Sequence, residues 1–167
     1  MVFGKEGDNL SILLRELMRL PELQHIRQEL EDGCCGAVIT GLSPVHRVQL
    51  SAALAQAMER PLLLLCADER ECERFAGDME SLTGQKPLYL PSRELHLRPA
   101  AVSSRQWDYR RIAALHRMQA EAPAVILTTA EALCQRCLPP QVLARAVLEL
   151  AQGQTHDVAA LCRRLAD

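Results

Sequence analysis

The residues of this sequence best suited to chemistry lie in segment 41–48, Gly-Leu-Ser-Pro-Val-His-Arg-Val, which has the outline of a phosphate-binding loop. A working loop reads G-x-x-x-x-G-K-[ST]: backbone N–H groups surround the phosphates, the lysine reaches the β and γ oxygens, and the hydroxyl binds Mg²⁺. Gly41 occupies the first glycine position. His46, Arg47 and Val48 replace the second glycine, the lysine and the hydroxyl. The position of a nucleotide-binding loop is recognisable, but most of the residues that would bind phosphate and Mg²⁺ are replaced.

These departures weigh against nucleotide hydrolysis. Pro44 removes an N–H donor from the loop, and His46 adds a Cβ where close phosphate approach favours glycine. Val48 cannot bind Mg²⁺, whereas Arg47 can still hold an anion at the start of a helix. We therefore predict a vestigial phosphate loop that contributes no catalytic residue. Its members are Gly41, Ser43, His46, Arg47 and Val48.

The other reactive residue types do not predict a second site. Asp68 and the following glutamate resemble an acidic metal motif after a strand, but a helix N-cap accounts for both. Cys134 and Cys137 have CxxC spacing, yet two further zinc ligands at matching spacing are missing and a redox pair normally lies at a helix N-terminus. The histidines are scattered without a triad arrangement. We predict no metal site.

A group of arginines surrounds a proline-containing loop and the helix after it. These arginines could simply form a solvated helix face. Alternatively, they could contact DNA, a partner protein or another domain of the same protein. We favour an intramolecular or partner contact. The residues are Arg93, Arg98, Arg105, Arg110 and Arg111.

Length and composition favour one aliphatic core. The chain has 167 residues, of which 49% are hydrophobic and only 3% aromatic, and its formal charge of −2 gives no footprint of strong nucleic-acid binding. No apolar run approaches the roughly 20 residues of a membrane span, and the N-terminus lacks the apolar region of a signal peptide. Seven cysteines without regular spacing fit a reducing compartment. We expect a cytoplasmic protein.

Short apolar runs without alternation predict strands buried on both faces. They lie at residues 37–40, 62–66, 87–90 and 124–127, with a further strand at 147–150. Helical spacing predicts helices at 9–20, 21–32, 50–60, 69–83, 104–118, 129–138, 141–146 and from 158 onward. Asp68 and Thr128, each followed three residues later by glutamate, have N-cap signatures.

Strands that alternate with helices predict a doubly wound parallel α/β sheet with helices on both faces. Ligands of such sheets bind at the carboxyl ends of the strands. Segment 41–48, Asp68, the loop after Leu90 and the pair Thr128-Thr129 all fall at this edge, which is where a site is expected.

Five segments together resemble the N-terminal region of the bacterial transcription-repair coupling factors, which is itself similar to the first domain of the excision-repair protein UvrB. They occur in the expected order and span nearly the whole chain. The segments are 13–22 (LLRELMRLPE), 38–43 (VITGLS), 60–64 (RPLLL), 131–136 (EALCQR) and 138–140 (LPP).

The resemblance implies a P-loop-NTPase-like, UvrB-like fold in which the ATP site has degenerated. Residues 1–150 would form this helicase-like domain, and 151–167 would begin a second, UvrA-docking domain that is cut short. This segment would bind no cofactor, whereas the full-length protein would use ATP and Mg²⁺ elsewhere to move on DNA, displace stalled RNA polymerase and recruit UvrA and UvrB for nucleotide excision repair.

Two alternatives remain open from the sequence. Arg47 could replace the lysine of a weak P-loop NTPase. The chain could also be a free-standing adaptor, or a redox protein that uses Cys134 and Cys137.

Overall fold

The computed structural model of the protein describes residues 8–33, 36–93, 106–148 and 150–166. The chain divides into two units, Met1–Cys137 and Leu138–Asp167. This division lies before the boundary that the sequence predicted after residue 150. The assignment of residues 151–167 to a docking domain stays a prediction.

A three-stranded parallel sheet organises the larger unit, with strand order β1-β3-β2. The strands are β1 (Leu62–Cys66), β2 (Leu88–Leu90) and β3 (Val125–Thr129). Leu64 of β1 and Tyr89 of β2 both lie opposite Leu127, which places β3 in the centre. The predicted parallel α/β architecture is confirmed at this level, with fewer strands among the described residues than expected.

The helices overlap the predicted segments, although α3 begins six residues earlier and α6 ends four residues earlier than predicted. In the larger unit they are α1 (Asp8–Leu17), α2 (Pro21–Glu31), α3 (Pro44–Met58), α4 (Glu69–Thr83), α5 (Gln106–Glu121) and α6 (Ala130–Cys134). The smaller unit contains α7 (Pro140–Ala146) and α8 (Val158–Ala166). None of the described helices is both long and apolar enough to cross a membrane.

Helices cover both faces of the sheet. On one face, Val125 and Leu127 of β3 join a buried cluster with Leu14 of α1, Ala52 of α3 and Met79 of α4. The opposite face carries Leu88, Leu90 and Ile126, which pack against Ala114, Leu115 and Met118 of α5. Because side chains alternate along a strand, successive residues of β3 pack against the helices on opposite faces of the sheet.

The predicted strand at 37–40 is wrong. These residues are exposed and belong to no strand, and Val38 is 93% exposed. A short apolar run becomes a strand only when a neighbouring backbone pairs with it, and the pattern of side chains carries no information about that neighbour. The strand predicted at 147–150 is also absent from the described residues there, and Val147 instead ends α7.

Two predictions about β1 and α6 are also corrected. Burial of β1 on both faces is wrong, since Leu63 and Leu65 are exposed. The cap of α6 is Thr129, whose Oγ1 accepts a hydrogen bond from the N–H of Ala132 at 3.2 Å. Thr128 is buried within β3 and donates its hydroxyl to the carbonyl of Leu90 at 3.0 Å.

Candidate functional site

Segment 41–48 forms a turn and the start of α3. Gly41 has φ +80°, a left-handed conformation that suits glycine. Ser43 is the N-cap: its Oγ accepts the N–H of His46 at 3.4 Å, and its carbonyl accepts the N–H of Arg47 at 3.0 Å. Pro44, at the first helical position, has no N–H to offer. The N-cap thus occupies the N–H of His46, a backbone donor that a working phosphate loop would direct at its ligand.

The side chain of Arg47 faces the start of α4. Its guanidinium lies 3.6 Å from a carboxylate oxygen of Glu71. The other oxygen of Glu71 accepts the N–H of Ala67 at 2.7 Å, and Asp68 accepts the N–H of Glu71 at 2.7 Å. A phosphate bound at Arg47 would therefore approach the carboxylate of Glu71, whose repulsion offsets the attraction of the arginine.

Val48 occupies the position of the Mg²⁺-binding hydroxyl and is turned into the core. It is 3% exposed and belongs to the same cluster as Ala52 and Leu127. His46, by contrast, is exposed. The two side chains lie on different sides of α3, so the helix uses the motif position for packing.

An open cleft of about 340 Å³ lies where the three strands end. Residues after β1, β2 and β3 meet here, as the predicted carboxyl-edge site requires. The lining residues are Ala67, Asp68, Glu69, Ser92, Arg93, Trp107, Thr129 and Glu131. None of the residues 41–48 lines it. Segment 41–48 and the cleft are thus separate features.

The cleft is predominantly acidic. Glu69 accepts a hydrogen bond from the hydroxyl of Ser92 at 2.7 Å. The positive charge of Arg93 is shared with Asp108, whose carboxylate lies 2.8 Å from Nε. Ser92, Trp107 and Glu131 were not predicted as site residues; their positions after strands, or at the start of α5, are the available sequence signal. Among the described lining residues, the balance of charge does not favour a phosphate.

The predicted arginine surface is only partly retained. Arg93 is exposed, and both of its backbone polar groups bond the side-chain amide of Gln135, at 2.7 and 3.1 Å. Arg110 is exposed and stacks over the ring of Trp107, 5.0 Å from its centroid. Arg98 and Arg105 lie outside the described residues.

Arg111 is a correction to that prediction, because it is only 3% exposed. Its guanidinium donates to the carbonyls of Pro91 at 2.7 Å and Ala132 at 2.9 Å. It also lies 3.1 Å from the sulfur of Cys137. Arg111 thus joins the segment after β2 to α6 inside the fold, and its side chain is not available to a partner.

The thiols near the carboxyl edge are poor nucleophiles. Cys66 at the end of β1 and Cys72 in α4 are buried, and burial raises the pKa of both thiols. Cys134 and Cys137 are exposed. Across the described part of the chain, no three His, Cys, Asp or Glu residues are grouped to hold a metal ion. The absence of a metal from this protein stays a prediction.

Comparison with known proteins gives one relative. The chain is similar to the transcription-repair-coupling factor of Bacillus subtilis (strain 168), with 27% identity over 135 residues. The aligned part is 80% of this chain and 11% of that protein, so the chain spans about a tenth of the length of the relative. No family model matches the chain. No solved structure matches it.

Proposed function

We propose that this chain is a non-catalytic, helicase-like scaffold segment of a transcription-repair coupling factor. The similarity to the Bacillus subtilis protein supports the assignment to a transcription-repair coupling factor. The observation that carries the non-catalytic role is the burial of Val48, at 3% exposure, where a phosphate loop needs an accessible hydroxyl.

The neighbouring contacts support the same proposal. Ser43 caps its own helix, and Arg47 points at Glu71. Phosphoryl transfer depends almost entirely on positioning and electrostatic stabilisation. Because Ser43 and Arg47 make contacts within the fold, the loop lacks the groups that would position and stabilise a phosphate. Segment 41–48 acts as a structural joint between the start of α3 and the start of α4, through the contact of Arg47 with Glu71.

The finer part of the proposal concerns the full-length protein. There, ATP and Mg²⁺ bind to other domains that move on DNA, displace stalled RNA polymerase and recruit UvrA and UvrB. The present segment binds no cofactor and contacts other domains of the same protein. Arg93 and Arg110 are the described arginines that remain candidates for such contacts, because both are exposed.

Isothermal titration with Mg-ATP tests the non-catalytic role. We expect no Mg²⁺-dependent binding by the wild-type chain and no ATP hydrolysis. Restoring the motif with His46→Gly, Arg47→Lys and Val48→Thr should lower stability without creating ATP binding, because the threonine hydroxyl enters the core.

The matched control is Arg74→Ala, which removes an exposed arginine of α4 in place of Arg47. Binding or hydrolysis of ATP that requires Mg²⁺, disappears in Arg47→Ala and persists in Arg74→Ala would overturn the proposal. It would favour instead an NTPase in which arginine replaces the lysine of the loop.

The scaffold role is tested separately in the full-length protein. Arg47→Ala should leave the DNA-stimulated ATPase rate unchanged, since the ATP site lies in other domains. Deleting segment 1–137, which is one unit of the fold, should impair coupling of repair to transcription. Full coupling activity after that deletion would contradict a scaffold role.

A further inference from the structure

Two buried thiols meet beneath the turn that joins β1 to α4. Leu62, Leu64 and Cys66 of β1 lie on the sheet face that α4 covers, and Cys66 belongs to the buried cluster of that layer. Cys72, the fourth residue of α4, belongs to the same cluster. Cys66 is 8% and Cys72 0% exposed, and the thiol of Cys72 donates a hydrogen bond to the sulfur of Cys66. The two sulfur atoms are thus neighbours inside the fold.

Hydrogen bonds hold the turn between the two cysteines. The carboxylate of Glu71 accepts the N–H of Ala67 at 2.7 Å, and Asp68 accepts the N–H of Glu71 at 2.7 Å. The N–H of Cys72 donates to the carbonyl of Asp68 at 3.2 Å. These bonds return the chain from the end of β1 onto the first turn of α4. The positions of both thiols are therefore set before any covalent bond joins them.

We propose that Cys66 and Cys72 form a reversible intramolecular disulfide when the protein meets a hydroperoxide such as hydrogen peroxide. Cys66 reacts first, because it is the less buried of the two. Its sulfur attacks one peroxide oxygen, the O–O bond breaks, and a sulfenic acid and one water are formed. The sulfur of Cys72 then attacks that of Cys66, the S–O bond breaks, and the hydroxide leaves with the thiol proton of Cys72 as a second water. Two thiols are oxidised to one disulfide, and the peroxide is reduced to two waters.

Burial makes this reaction slow but specific. It raises the pKa of both thiols, which lowers the fraction of thiolate that attacks peroxide. Cys66 should therefore react more slowly than the exposed thiols of Cys134, Cys137 and Cys162. Once Cys66 is a sulfenic acid, the thiol of Cys72 is already in position, which favours this disulfide over one to another chain. The same burial restricts the access of reductants to the finished bond.

The disulfide closes a ring that contains one wall of the cleft at the strand ends. Residues 67–71 lie between the two cysteines; among them Asp68 and Glu69 line the cleft, and Glu71 contacts Arg47. A covalent link removes conformations in which the ends of a segment separate. Oxidation should therefore hold the end of β1 against α4 and make the first turn of α4 open less often. This inference does not rest on the proposed function, because it uses only the two thiols and the turn between them.

Peptide mapping of the 167-residue chain after treatment with hydrogen peroxide tests the disulfide. Arg70 lies between the two cysteines, so trypsin places them in different peptides. We expect these two peptides to be joined, with the loss of two hydrogens, by a bond that dithiothreitol breaks. If both thiols stay reduced while the exposed thiols are oxidised, or if Cys66 is oxidised while Cys72 stays a free thiol, the proposal is overturned.

Cys72→Ala removes the second thiol. In this variant the sulfenic acid of Cys66 has no neighbouring thiol to attack it, so oxidation should proceed to the sulfinic acid, which dithiothreitol does not reverse. Cys162→Ala, which removes an exposed thiol of α8, is the matched control and should keep the link between Cys66 and Cys72. The wild-type map needs no variant, so the proposal stays testable if Cys72→Ala does not fold.

Amide hydrogen exchange measures the effect on the turn. Exchange at Glu71 and Cys72, whose N–H groups are bonded to Asp68, should slow at least about tenfold on oxidation and recover with dithiothreitol. Ala114 of α5, on the other face of the sheet, should not respond. Recovery separates the disulfide from methionine sulfoxide, which a dithiol does not reverse. A disulfide that leaves the exchange at Glu71 and Cys72 unchanged would contradict the proposed hold on the turn.

Discussion

The guanidinium of Arg47 lies 3.6 Å from the carboxylate of Glu71, at the place where a phosphate loop would direct a lysine at its ligand. The contact links the first turns of α3 and α4. Arg47 remains 59% exposed and Glu71 32% exposed, so water screens the pair. The arrangement gives Arg47 a partner within the fold.

Val48 should matter more for folding than Arg47. Truncating a buried aliphatic side chain leaves a cavity, so Val48→Ala should lower the free energy of unfolding by about 2 kcal/mol. Arg47→Ala removes only a solvated ion pair and should change it by less than about 1 kcal/mol. Urea denaturation of the two variants gives both values. A larger loss in Arg47→Ala would mean that the pair with Glu71 organises the joint.

Local chemistry explains why most helices could be predicted from the sequence. Asp68 accepts the N–H of Glu71 as its N-cap signature requires. Gly84 ends α4 with φ +67°, and Pro21 begins α2. These signals act within one helical turn, so the residues that produce them are neighbours in the chain.

Features that depend on contacts between residues far apart in the sequence were harder to predict from the sequence. Segment 37–40 has the composition of a buried strand but pairs with no strand among the described residues. The position of Arg111 beside other charged residues suggested a surface contact, whereas tertiary packing places its guanidinium among backbone carbonyls. The carboxyl-edge cleft was predicted in outline, because the ends of parallel strands meet, but the membership of Trp107 depends on how α5 packs.

Loss of Arg111 should strongly destabilise the larger unit. Arg111→Met keeps much of the side-chain volume but leaves the carbonyls of Pro91 and Ala132 without their donor. A buried polar group that loses its partner costs about 1–3 kcal/mol, and two are affected here. We expect the free energy of unfolding to fall by about 2–4 kcal/mol, measured by urea denaturation.

Arg110→Met is the control for this substitution. Arg110 is the preceding residue of α5, is exposed, and contacts Trp107. It should change stability by less than about 1 kcal/mol. Equal effects of the two substitutions would show that the buried bonds of Arg111 contribute little.

Stability should decrease at alkaline pH because buried thiols resist ionisation. Burial raises the pKa of Cys66 and Cys72 above the ordinary value of 9.0. A group whose pKa is higher in the folded state stabilises that state fully below the unfolded pKa, and this contribution is lost as pH rises through the folded pKa. The free energy of unfolding should therefore fall as the pH is raised above about 9.

Cys72→Ala separates this effect from other alkaline changes. The variant loses some packing at every pH, but its stability should decline less steeply above pH 9 than that of the wild type, since one resisting thiol is gone. Cys162→Ala, which changes an exposed thiol of α8, should keep the wild-type slope. Identical slopes in all three proteins would contradict the assignment to Cys72.

Removing the hydroxyl of Tyr89 should not destabilise the protein. This buried oxygen makes no hydrogen bond of good geometry with a described residue, although burial and the nearby Glu69 raise its pKa. Because a buried hydroxyl without a partner is unfavourable, Tyr89→Phe should leave stability unchanged or raise it by up to about 1 kcal/mol. Tyr109→Phe, at a position 66% exposed, provides the baseline in urea denaturation. A loss above about 1 kcal/mol in Tyr89→Phe alone would instead identify a hydrogen bond to Glu69 that helps to hold α4 against β2.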